Sequence, residues 1–512
     1  MGINIYTITK SSEFHGRTVI SGFAPSFQSL RVERSSQTRA SLFRPKPNQT
    51  LASPRLATAT MADGGASLST AGHGGVDRFS ALHDDLLRHI ITLLPIRYAA
   101  RTAVLASRWR YLWRSNRLVL MDADIPEPAH DAVVPRVLAD HLGHFRDVIL
   151  YDCRLASLDR ALPGWPRLLA VKRTERLALG NRFNRSEPSS VRLLPAGILR
   201  CDSLQQLHLD YWTFPSGAEV LLPHLRALTL TRIVISDPDL ECLIAACPVL
   251  KSLGLFVNSS KHVRLRSKSL IGCTLVGPSR VEEFTVTMVD TPLLERFHLF
   301  QLLNGVEIRI TRAPNLRVLG YLDTRVHKLQ TGNSVIASDT MVRASTVVPS
   351  VNILGLTVNF GVFAEVKMLV SFLRYFTDVV TLHIESALHD PSVTADEPSG
   401  ENHAKFWQET RPVCCLRSHV KKMVIHDFRG DQNEFEFLKF VAMNAQELQS
   451  LLVVLQEGIF SSADKVTEIK DELQCLQFPT GISAVLQVSP EAGTALRWEK
   501  SFDLTVDDPF DC

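Results

Sequence analysis

The sequence predicts an α/β chain in which a small helical module precedes an irregular, curved solenoid of short strands. Two patterns lead there. Apolar residues recur at helical spacing between residues 77 and 115, and from about residue 145 an apolar triplet of the form L-x-x-L-x-L recurs instead. The length of 512 residues allows about three domains, at roughly 150 each, or one long repeat array. With 45% hydrophobic and 21% charged residues the chain can bury a large core, which excludes global disorder. A mean hydropathy of +0.05 argues against a membrane protein.

Residues 1–60 differ from the rest. They hold sixteen Ser or Thr, eight Lys or Arg and two acids, Glu13 and Glu33. That is the composition of a transit peptide; the favoured alternative is a dispensable extension, because Met61-Ala62-Asp63-Gly64 reads as a second natural start. Residues 1–75 are expected to be disordered on either reading.

Order begins at Asp77-Arg78-Phe79-Ser80. Asp84 and Asp85 suit a helix N-terminus, and Leu86, Ile90, Leu93 and Leu94 follow at i, i+4, i+7 and i+8 before Pro95. A second helix near Arg97 carries Ala100, Ala103 and Val104, and a third runs from about Ser107 through Trp109, Leu112 and Trp113. Three helices in about forty residues bury little, at about 1.5–3 kcal/mol per buried Leu or Ile, so the module should lean on a partner or on its neighbouring domain.

The repeat is clearest at Leu204-Leu207-Leu209, Leu225-Leu228-Leu230 and Leu250-Leu253-Leu255. Weaker copies are Phe145-Val148-Leu150, Thr174-Leu177-Leu179, Val281-Phe284-Val286, Leu294-Phe297-Leu299, Val351-Leu354-Leu356, Val379-Leu382-Ile384, Val420-Met423-Ile425 and Leu448-Leu451-Val453. This is a leucine-rich-repeat pattern: each triplet makes a short strand, and the intervening residues return as helix or turn, for example Asp239 to Ala246. Uneven spacing predicts an irregular horseshoe. Residues 331–350 and 387–413 read as long surface loops.

At Asp77 to Trp113 the residues resemble the F-box of plant F-box/leucine-rich-repeat proteins, through Asp77-Arg78, Leu82, Asp84 to Leu87, Ile90, Leu93-Leu94-Pro95, Ala100 to Thr102, Val104-Leu105, Arg108 to Arg110 and Leu112-Trp113. His83 stands where that family usually has Pro. Cys247 to Leu253 and Ala313 to Leu319 are similar to the "CP-x-L-x-x-L" and "AP-x-L-x-x-L" phrases of its repeats. Residues 415–448, with Phe428-Arg429-Gly430, Glu434 and Phe437 to Phe440, resemble its FBD domain. The expected division is a 1–75 extension, a three-helix F-box at 76–120, a repeat region at 121–410, an FBD-like cap at 411–455 and an unassigned tail at 456–512.

The resemblance implies a substrate-recognition subunit of an SCF-type ubiquitin ligase. Its F-box would dock on a Skp-type adaptor that hangs from a cullin scaffold, and its repeats would hold a protein target. Leu82, Leu86, Ile90, Leu94, Pro95, Val104 and Trp109 are the candidate adaptor contacts, or else the module's own core. A repeat scaffold or decoy without ligase recruitment is the alternative, kept open by His83. Target recognition would fall to the variable positions of the strands, such as Gln206, His208, Ala227, Thr229, Ser252 and Gly254, and the target itself is not legible.

No GxSxG elbow, phosphate loop, HExxH or EF-hand loop occurs, so no catalytic residue, metal site or cofactor is expected and the chain reads as a non-catalytic receptor. His141 and His144 read as a solvent-facing pair, and in Cys414-Cys415 one apolar cysteine is expected in a strand. Six arginines between Arg97 and Leu120 could meet an acidic adaptor or nucleic acid, but without aromatic stacking or a recognition-helix motif they read as a solvated face, and a net charge of only +3 argues against nucleic acid and membrane as partners. Nine cysteines without a CxxC pair suit a reducing compartment, which leaves the sequons at Asn48, Asn184 and Asn258 unglycosylated. Nucleus or cytoplasm is expected, or plastid or mitochondrion if residues 1–60 act as a transit peptide.

Overall fold

A computed structural model describes residues 6–9 and residues 81–510 except 95, 127–128, 152, 154–159, 182–191, 258–259, 277–283, 301–305, 326–327, 332–333, 337–350, 388–399, 457–462, 477, 479–482 and 489–500. Apart from residues 6–9, the expected N-terminal extension lies outside the described residues.

Helices α1 (Asp84–Leu93), α2 (Ile96–Thr102) and α3 (Ser107–Ser115) form the expected module. His83 starts α1: its Nδ1 accepts the Asp85 N–H at 3.4 Å, while Asp84 and Asp85 sit at the positive end of the helix dipole. Arg108 of α3 donates to the Leu82 carbonyl at 2.6 Å and pairs with Asp84, tying the third helix to the entry of the first. Leu87, Ile91, Ala99, Trp109 and Leu112 are the module's core. Ile96 belongs instead to the core of the solenoid, and His141 Nε2 lies 2.9 Å from the Asn116 carbonyl, so the module does lean on its neighbour.

The solenoid is one long parallel sheet whose strand order follows the chain. Its strands are Leu118–Met121, Phe145–Leu150, Arg176–Gly180, Gln206–Asp210, Ala227–Ile233, Ser252–Val257, Gly272–Val276, Arg296–Phe300, Val318–Asp323, Ile353–Val358, Thr381–Ser386, Lys422–Phe428, Ser450–Leu455 and Ser483–Val488, with Tyr6–Thr9 added beside the last. The triplets stack in register. Leu177, Leu207, Leu228, Leu253, Cys273, Phe297, Leu319, Leu354, Leu382, Met423 and Leu451 form one continuous buried row. Each repeat buries its apolar face only against the next, which is why the array must be long.

Two expectations about the repeats are corrected. Phe284 and Val286 do not belong to this sheet; the strand that stacks there is Gly272–Val276, whose Cys273 occupies the leucine position. The return segments between 262 and 336 are strands rather than helix or turn: His262–Arg266, Phe284–Asp290, Val306–Ile310, Lys328–Thr331 and the antiparallel Ser334–Ile336 make a second sheet. Their sequences alternate with period two, burying Val263, Leu265, Val286, Met288, Ile308 and Ile310 while Arg264, Arg266 and Arg309 face outward. Arg192–Leu193 and Trp212–Thr213 pair as a short parallel sheet of their own, and other returns are helical. Asp237–Ala245, covering most of the expected return helix, is capped by Ser236, and Phe363–Tyr375 and Gln432–Asn444 follow.

Residues 337–350 and 388–399 of the two expected loops lie outside the described residues. Within the remainder of the second loop, Gly400–Glu409 is a helix that buries Trp407 against Phe437 and Phe440, with ring centroids 5.4 and 4.8 Å away. The segment after 456 carries helix Ala463–Cys475 and strand Ser483–Val488, which extend the array by another unit.

Candidate functional site

Two surfaces gather the candidate residues. On the helical module, Leu82, Ile90 and Leu94 are half-buried and pack against its core. Leu86 is 54% exposed and Val104 85% exposed, whereas Trp109 is 6% exposed and part of the core itself; Pro95 lies outside the described residues. Leu93, Tyr98, Leu105 and Tyr111 join the exposed set. Six of the fifteen large apolar side chains that stand exposed among the described residues therefore fall on this small module. The arginines around them are partly occupied: Arg108 by Asp84, Arg117 by Glu175, and Arg97 by the Tyr98 ring at 4.6 Å. The Arg97 hydrogen bond and charge hold the Tyr98 phenol below its ordinary pKa.

The second surface is the face of the main sheet opposite the leucine rows. Side chains between the two leucines of each triplet point there, because successive residues of a strand alternate. Ala178, His208, Thr229, Gly254, Thr274 and His298 lie side by side across neighbouring strands, and Gln206, Ala227 and Ser252 form the adjacent row. His208 Nδ1 lies 2.8 Å from the Tyr151 hydroxyl, and Arg232 holds Asp210 in a buried bidentate pair at 2.8–3.0 Å.

Residues 501–510 lie across this face. The Ser501 hydroxyl accepts from Thr274 at 3.2 Å. Arg296 donates to the carbonyls of Asp503 and Leu504 at 3.1 and 3.2 Å. Phe502 packs with Phe256, Val276 and Phe300. Phe510 is fully buried between His298, Tyr321 and His383, at centroid distances of 5.2, 4.8 and 5.5 Å. Asp508 meets His383 Nε2 at 2.9 Å and Lys422 at 3.7 Å, and His383 in turn stacks on His426. Burial pushes the Asp508 carboxyl up, but the hydrogen bond and charge of His383, with Lys422, outweigh it and hold the pKa below the ordinary range. Burial, with Arg296 adding to it and Asp508 opposing, lowers His298 to about 3.

The smaller candidates resolve plainly. His141 is buried against Phe145 and Trp113 rather than facing solvent, and burial lowers its pKa; only His144 is exposed. Cys415 is buried in helix Cys414–Ser418 rather than a strand, its thiol bonded to the Leu373 carbonyl and pushed up to about 12 by burial. Among the described residues no group of three His, Cys, Asp or Glu is placed to hold a metal ion, and no helix is long and apolar enough to cross a membrane.

Three family models match the chain. An F-box domain covers residues 79–120, the repeats described as "FBD-associated F-box protein At5g56370, LRR repeats" cover 162–384, and FBD covers 408–453. The chain carries an F-box, a leucine-rich-repeat region and an FBD domain. Arabidopsis thaliana relatives share these names. "F-box/LRR-repeat protein 13" is 26% identical over 76% of this chain and 92% of its own length. "FBD-associated F-box protein At4g10400" is 23% identical over 77% and 97%. "F-box/LRR-repeat protein At3g03360" is 29% identical over 38% of this chain, and the match spans only 41% of that relative.

The geometry also explains the FBD motif. Glu434 is buried, and its carboxylate accepts from the N–H groups of Arg429 and Asp431 and from the Ser386 hydroxyl, while Arg429 donates to the Ser386 carbonyl. The FBD strand Lys422–Phe428 pairs directly with the last strand of the LRR region, so the FBD domain continues the solenoid. The 501–510 segment is the part of the site that motif reading missed. Its signal was available as charge: Asp503, Asp507, Asp508 and Asp511 with no base among residues 501–512.

Proposed function

We propose that the chain is the substrate-recognition subunit of an SCF-type ubiquitin ligase. The F-box docks on a Skp-type adaptor, which hangs from a cullin scaffold, and the repeats present a protein target. The carrying observation is the concentration of exposed Leu, Val and Tyr side chains on the F-box, since a monomer rarely leaves so many uncovered on so small a module. No group-transfer chemistry is needed from this chain; holding a target lysine near a ubiquitin-charged enzyme raises its effective concentration. A reducing compartment, nucleus or cytoplasm, goes with this reading. At His83 the imidazole caps α1 where the family's Pro would have preset its entry, which supports the reading for the helix start alone.

Adaptor pull-down with the full chain tests the reading. Leu86→Asp places a charge on the exposed face and should weaken capture at least tenfold with an unchanged melting temperature. A folded wild-type chain that captures no Skp-type adaptor would favour the scaffold or decoy reading instead.

A further inference from the structure

The repeat face that would receive a target already holds a peptide, namely this chain's own residues 501–510. We infer that the face is a binding site for an acidic, aromatic protein segment, with two aromatic residues eight positions apart and a carboxylate two positions before the second, and that residues 501–510 occupy it as a resident competitor. The inference rests on reading the repeats as the recognition surface and not on adaptor docking.

Three observations carry it. First, the receptor side is shaped for an occupant. A methyl group added to Gly254 would lie 2.5 Å from the Phe502 ring, and one added to Gly272 would lie 3.0 Å from Leu504, so strand positions that could carry any side chain carry none where the segment crosses. Second, the chemistry is complementary along its length. Phe502 and Phe510 each enter a cluster outside the main core, the first with Val276 and Phe300 and the second with Val318 and Tyr321. Between them the acidic segment meets Arg296, His383 and Lys422. Third, the fit is incomplete. His298 Nε2 is fully buried beside Phe510 and has no hydrogen-bond partner, a cost that a ligand with a polar group at that point removes. A tethered segment holds its site through high effective concentration rather than ideal contacts, so a better-matched target segment can displace it.

The test uses a fluorescein-labelled peptide of residues 501–511 and fluorescence anisotropy, without adaptor present. The peptide should bind a chain ending at Lys500 at least tenfold more tightly than it binds the full chain. Replacing Asp508→Asn and Phe510→Ala in the peptide should weaken binding at least tenfold. The full chain carrying the same two substitutions keeps every residue and should accept the wild-type peptide as the shortened chain does, which decides the matter if the shortened chain does not fold. Equal binding of wild-type and substituted peptides, or no binding to a folded opened chain, overturns the inference. So does unfolding of both opened chains, because the segment would then be a structural strut. Failure here with adaptor capture intact leaves the ligase reading standing; peptide binding without adaptor capture does the reverse.

Discussion

Trp109 and Leu86 lie on the same small module and do opposite things. The Trp109 indole fills the space between the three helices, packed with Leu87, Ile91 and Leu112, while the Leu86 side chain stands in solvent. Removing the indole leaves a cavity that so small a core cannot close, at a cost of about 3–5 kcal/mol. Trp109→Ala should therefore raise amide exchange across residues 84–115 and weaken adaptor capture indirectly. Leu86→Asp should weaken capture with exchange unchanged; if Trp109→Ala leaves exchange unaltered, its assignment to the core is wrong. Helical spacing marks Leu86, Leu87, Ile90, Ile91, Leu93 and Leu94 alike as apolar, and nearly every turn of α1 offers a candidate to both faces. Which of them turns outward is decided by where α3 packs, and that information is not local. The opposite held on the repeats, where the two-residue alternation put His208, Thr229 and Gly254 on one face directly, while the segment that covers that face lies more than 200 residues further on, as the 227-residue separation of Thr274 and Ser501 shows.

A buried glutamate joins successive units of the solenoid. Glu434 binds Ser386 at the end of the preceding strand, and Glu365 does the same two units earlier, accepting from Thr324 at 3.1 Å and from the Asn359 N–H at 2.8 Å. The FBD unit is thus built on the repeat before it, with Ser386 in the place of Thr324. Burial raises both carboxyls, Glu365 to about 7, with Asp323 adding to the rise and Asn359, Thr324 and Arg325 opposing it. A raised folded-state pKa means that the native chain holds the proton more tightly than the unfolded one. Stability from Glu365 is then complete below its ordinary 4.5 and is lost as pH climbs through about 7. Glu365→Gln should flatten that slope, retaining on the order of 3 kcal/mol at pH 8 relative to wild type, read from denaturant melts between pH 4.5 and 8. An identical pH slope in the variant would place the titration elsewhere; His298, lowered to about 3, contributes with the reverse sign, since its stability is lost as pH falls below about 6.5. The triplets made the main-sheet elements legible because a leucine at fixed offsets leaves one way to stack. The second sheet was equally written in its alternation, yet the strand and helix returns overlap in length, and Cys273 concealed one triplet by replacing its leucine.

Along the whole molecule, contacts run from each strand to the next, so cooperativity should fade with distance as in any linear repeat array. Residues 502–510 break that rule. They cross from the Ser252–Val257 strand to the Thr381–Ser386 strand, five spacings of about 4.8 Å or roughly 24 Å, which nine residues in extended form can span. The segment therefore bridges units that otherwise touch only through their neighbours. Phe510 alone, fully buried, is worth about 1.5–3 kcal/mol when covered. A chain ending at Lys500 should lose that amount locally: the slowest amides of strands Gly272–Val276 through Thr381–Ser386 should exchange at least tenfold faster, while Phe145–Leu150 and Arg176–Gly180, which the segment does not reach, keep their wild-type rates. Uniform acceleration across all strands would mean that the solenoid opens as one unit and that the segment stabilises it globally. No acceleration anywhere would mean that the segment rests on the face without holding it.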